Sequence, residues 1–94
     1  MKGKNMITID TPNIKIGLRV RSEHTGNEGH ISVYDKNYIQ HPHAPEYNAQ
    51  GWMEIIWDHG GKSCHYLYDP DYGERHGRGA MFSCIEIIDP TWKE

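Results

Sequence analysis

Apolar and polar residues alternate with a period of two along several short stretches of this chain, and no stretch carries an apolar stripe at helical spacing. From Ile14, the side chains of Ile14, Ile16, Leu18 and Val20 share one face while Lys15, Arg19 and Arg21 share the other, the pattern of a half-buried strand. "SEHTGNEG" turns the chain, and "HISVYD" resumes with Ile31 and Val33 on one face, which predicts a hairpin. Residues 36 to 51, "KNYIQHPHAPEYNAQG", lose the periodicity and contain Pro42 and Pro45, so they read as a long irregular loop. In "GWMEIIWD" the alternation returns, with Met53, Ile55 and Trp57 on one side and Trp52, Glu54 and Ile56 on the other. Asp58-His59-Gly60-Gly61 is a turn, "KSCHYLYD" a fourth strand, residues 69 to 80 a second irregular loop, and "MFSCIEIID" a last strand led by Ile85 and Ile87.

Five short strands separated by glycine and proline turns predict a mainly β protein. Closure into a barrel removes exposed strand edges, so the expected fold is a small five-stranded SH3-like barrel with two long irregular loops. A chain of 94 residues has room for one core only. The expected organisation is a lead-in or edge strand over 1–13, where "MITID" ends at Pro12, a single barrel over 14–90, and a tail over 91–94.

Charge narrows the choice of partner. A net charge of -3 lacks the positive field that holds proteins on phosphate backbones, which disfavours non-specific nucleic-acid binding. No apolar run approaches the roughly 20 residues that span a bilayer, and the start "MKGKNMITID" lacks the apolar middle of a signal peptide. The expectation is a cytoplasmic protein without membrane association, with Cys64 and Cys84 reduced.

The turns carry family resemblances. "TGNEGHI", with Gly26 and Gly29 placed to adopt positive backbone angles, resembles the glycine turn of KOW motifs. Read together, "IGLRVRS", "GNEGHI" and "GWMEIIWDHGGKS" resemble the Mib/Herc domain of mind bomb and HERC ubiquitin ligases: a G-x-R-V segment, a G-x-G turn, and a strand ending W-D-x-G. The matching residues are Gly17, Arg19, Val20, Gly26, Gly29, Trp57, Asp58, Gly60 and Lys62. This resemblance covers roughly residues 14 to 67 and implies an SH3-like barrel and, as in mind bomb, binding of an extended peptide. The short connection "SEHT" and the pair His65-Tyr66 depart from the family's pattern. Independently of the family, Asp58 is placed to accept hydrogen bonds from its own turn, and Trp57 to roof the core; replacing a buried indole by alanine costs about 3 to 5 kcal/mol.

The opposite parity of Trp52 makes it a candidate for contact with a partner. With the two loops, Tyr38, Tyr47, Trp52, Tyr66 and Tyr72 form a candidate partner-binding surface, because amphipathic rings gain contact area at modest entropic cost. The plainer reading is that several of these rings cover a thin core. Lys15, Arg19 and Arg21 form a candidate phosphate-binding stripe, against which Glu54 and Glu86 stand as neutralising neighbours on adjacent strands.

Other chemistry is weakly signalled. His41 and His43, with Cys64, His65 or Cys84, have the ligand types for zinc but not the paired spacing, so no metal is expected. "DPDYGE" reads as a turn in preference to a calcium loop. Strand alternation separates Cys64 from His65, and no phosphate loop or nucleophile elbow is present, so neither catalysis nor a cofactor is expected. The sequence points to a small protein-interaction module, an adaptor or inhibitor; the alternative is a KOW-like nucleic-acid-binding barrel that uses Lys15, Arg19 and Arg21.

Overall fold

Alternation becomes sheet wherever a hydrogen-bonded turn lets the chain reverse. The computed structural model describes residues 5–8, 10–39, 43, 50–67 and 84–94. Its strands are β1 (Arg19–Ser22), β2 (Glu28–Ile39), β3 (Gln50–Trp57), β4 (Lys62–Tyr66) and β5 (Ile85–Ile87). They form one sheet in the order β4-β3-β2-β1-β5, and every pairing is antiparallel. Both expected hairpins are present, β1 with β2 and β3 with β4. Gly60 and Gly61, at φ 104° and 87°, carry the second reversal, in which Gly60 N–H donates to the Trp57 carbonyl and Trp57 N–H to that of Gly61. β5 returns to lie beside β1, with Val20 opposite Ile87. Among the described residues β4 and β5 do not pair, so the sheet is open between them.

One face of the sheet is the core. Val20, Ile31, Met53, Ile55, Ile85 and Ile87 project to it and are buried, joined by Ile7, Leu18 and Leu67. Each such side chain contributes about 1.5–3 kcal/mol relative to exposure. Ile7 reaches the core because residues 5–7 lie along the outer side of β5: Ile7 N–H donates to the Ile85 carbonyl and Ile87 N–H to that of Asn5, both at 2.8 Å. That contact satisfies part of an edge that would otherwise be free to pair.

The carboxyl-terminal residues fasten the start of β1. Asp89 Oδ2 accepts from Arg19 N–H at 3.1 Å, while Oδ1 accepts from the Thr91 N–H and hydroxyl at 2.9 and 2.6 Å. These bonds, those from Thr91 foremost, hold the Asp89 carboxyl down at about 2. Trp92 packs against the core, and its indole N–H donates to the Pro12 carbonyl at 2.9 Å.

Four details differ from the sequence expectation. The strand expected from Ile14 begins only at Arg19, because residues 16–17 form a turn that leaves Ile16 59% exposed and Lys15 outside the sheet. Val33 does not share the face of Ile31: the register steps from Ile31↔Ile55 to Val33↔Glu54, so Ser32 is an extra residue that turns Val33 outward and lets Tyr34 pack on the core. β2 continues to Ile39, which puts Tyr38 on a strand and not in a loop. Gly29 does not take a positive φ; its need for glycine is steric, since it lies opposite Trp57 with no space for a side chain.

Candidate functional site

The face of the sheet away from the core carries Tyr38, Trp52 and Tyr66. On β3, Trp52, Glu54 and Ile56 alternate with the core residues Met53 and Ile55, and their partners on β4 are Tyr66, Cys64 and Lys62. The second irregularity in β2, between Asp35 and Ile39, brings Tyr38 over this same surface. Its ring centroid lies 6.1 Å from that of Trp52, tilted by 39°, and 6.2 Å from that of Tyr66, stacked at 27°. These separations lie in the range where aromatic rings attract one another, so the rings form a single cluster. Tyr38, Trp52 and Tyr66 are thus brought together from three strands. Tyr47 and Tyr72, expected in the same surface, lie outside the described residues. Val33 and Ile56, each more than a third exposed, lie on the same face, with Glu54 between the rings and Ile56 on β3.

The arginines of the basic stripe are engaged in ion pairs. Arg19 grips Asp58 with both ends of its guanidinium, Nη1 to Oδ1 at 2.8 Å and Nη2 to Oδ2 at 2.5 Å, with Glu28 at 3.6 Å. The paired hydrogen bonds raise the Arg19 pKa and lower that of Asp58. Arg21 donates to Glu86 at 2.8 Å across the β1–β5 pairing. Glu86 is thus a neutralising partner, as the parity of the strands predicted. Glu54 is not: it accepts from Ser32 at 2.8 Å and lies 3.8 Å from Lys62. Asp58, read from sequence as a turn acceptor, instead ties the β3–β4 turn to β1. The arginine of the G-x-R-V segment and the aspartate of W-D-x-G therefore meet in space, as do Gly29 and Trp57.

Behind the aromatic cluster, on the core side, Trp57 is half-buried and hydrogen-bonded. Its indole N–H donates to Ser63 Oγ at 2.9 Å, and Ser63 Oγ lies 2.6 Å from His65 Nε2. The His65 ring stands edge-on to the indole, with centroids 6.4 Å apart. Burial pushes the His65 pKa down. Below about pH 6.5, the ordinary histidine value, the unfolded chain therefore takes up this proton more readily than the folded one. The expected result is full stability above that pH and a progressive loss as pH falls through the lowered folded pKa. Chemical denaturation between pH 5 and 8 on the wild type and on His65→Gln tests it, since the variant removes this part of the slope.

No cluster of metal-ligating side chains occurs among the described residues, and His41 lies outside them. Searches against protein-family models, curated proteins and solved structures give no match. The site stands on its own geometry. The sequence reading names Tyr38, Trp52 and Tyr66 for one surface, with Tyr38 placed in a loop; the irregularity in β2 that carries Tyr38 there on a strand leaves no mark in a period-two pattern. The Arg19–Asp58 fork was missed, although both residues lie in the motifs quoted above.

Proposed function

We propose that this chain is a small protein-interaction module, an adaptor or inhibitor, that receives a peptide or protein surface on the outer face of β2, β3 and β4. The observation that carries the reading is the joined cluster of Tyr38, Trp52 and Tyr66, with Val33 and Ile56 exposed on the same face. Half-buried aromatic anchors of this kind dominate protein interfaces. The rings stand apart from the main core, since Met53, Ile55 and the rest of it lie on the opposite face. We further propose that the sheet curls as an SH3-like barrel. The return of β5 to β1 and the two irregularities in the long β2 support this, as does the meeting of the Mib/Herc-type motif residues in space.

The KOW-like nucleic-acid reading is less well supported. Arg19 and Arg21 would have to leave Asp58 and Glu86 to reach phosphates, and Lys15 lies outside the strand that holds them. Affinity capture from extracts of the cells that make the protein separates the two readings. Capture of a protein that survives nuclease and 0.5 M salt, and that is lost with Trp52→Ala at a temperature where that variant is still folded by its melting curve, is the expected outcome. Binding that collapses with salt, or with Arg19→Gln and Arg21→Gln, would establish the nucleic-acid reading in its place.

A further inference from the structure

Resting on the interaction reading, and going beyond it to the chemistry of the partner, we infer that the aromatic cluster receives an arginine side chain of an extended, basic protein segment. The three rings form one cluster at one end of the outer surface, and Asp35 stands in register opposite Trp52 on the neighbouring strand. Residues opposite one another in an antiparallel pair have Cβ atoms about 4.5–5.5 Å apart, so this carboxylate borders the rings.

The charges on this face are otherwise internally matched. Arg19 is held by Asp58 and Glu28, Arg21 by Glu86, and Lys62 lies beside Glu54. Asp35 is exposed, and its carboxylate accepts one hydrogen bond, from Asn37 N–H at 3.0 Å, and enters no ion pair among the described residues. An exposed carboxylate beside aromatic rings is the complement of a guanidinium, whose plane stacks on a ring while its N–H fork meets a carboxylate. A phosphate or an acidic peptide would meet repulsion from Asp35, and the arginines of this face, Arg19 and Arg21, are already engaged two strands away from Trp52. Lys36, the residue after Asp35, is also exposed and works against a cationic ligand, which gives the inference an internal control.

The experiment uses the full chain and a ten-residue Gly/Ser peptide with two central arginines, followed through the indole N–H resonance of Trp52, assigned by its loss in Trp52→Phe. The arginine peptide is expected to shift this resonance saturably. Replacing its arginines by citrulline, the same shape without the charge, weakens binding by about fivefold or more. Asp35→Asn weakens it by about threefold, whereas Lys36→Gln strengthens it. Equal binding of the citrulline peptide would overturn the inference, as would tighter binding of a glutamate peptide or of a single-stranded oligonucleotide. If no peptide moves Trp52 while a captured protein partner still requires it, the arginine assignment fails and the interaction module stands. A captured partner indifferent to Trp52→Ala removes both.

Discussion

Gly29→Ala is expected to destabilise the protein by about 3 kcal/mol, toward the upper end of what overpacking costs in a well-packed interior. A Cβ built at Gly29 runs into the Ile56 carbonyl oxygen and stands 3.0 Å from both Cα and Cε3 of Trp57. Two of these three atoms belong to the backbone of β3, so no rotamer change relieves the contact and the β2–β3 spacing itself must widen. Alanine lowers the entropy of the unfolded chain, but that gain of about 0.4–1 kcal/mol does not offset the clash. Denaturant unfolding should show a lower midpoint with an unchanged slope. A midpoint within error of the wild type would show that the strands yield more readily than their register suggests.

Trp57→Ala is the second large effect, expected at about 3 kcal/mol, the low end for loss of a large aromatic because the indole is half-buried and not enclosed. Against a total stability of roughly 5–14 kcal/mol for a domain of this length, that is a melting point lower by about 12–24 °C. Two components can be separated. Trp57→Phe keeps most of the contact with the core and loses the N–H donated to Ser63, and should cost about 1 kcal/mol. The double variant Gly29→Ala with Trp57→Ala should be less destabilised than the sum of the two, since the ring atom near the new Cβ is gone; the Ile56 carbonyl remains, so relief is partial. Strict additivity would mean that the indole does not lie across Gly29.

How much of this could be read from the chain depends on the range of the interaction. Alternation in "GWMEIIWD" was enough to assign Met53 and Ile55 to the core and Trp52 to the other side, because strand geometry converts sequence parity directly into facing. The same rule failed at Val33 and at Ile16. At Val33 an extra residue reverses the parity, and at Ile16 a turn replaces the strand, and neither event has a composition of its own. Ion-pair partners were legible only where strand neighbours were: Glu86 follows from β5 lying beside β1, while Asp58 reaches Arg19 from beyond the end of its strand. Gly29 was recognised as a special position and assigned the wrong reason, since a glycine demanded by a neighbour's backbone looks, in sequence, like one demanded by its own.

The alternation of β3 has a consequence for how such a molecule changes over generations. Trp52 and Met53 are adjacent in the chain and opposite in facing, one on the outer surface and the other in the interior. A lineage can therefore rewrite the outer surface at every second letter of β3 and β4, leaving the intervening letters to preserve the architecture. Surface chemistry and folding are inherited along the same few residues, yet they are free to diverge.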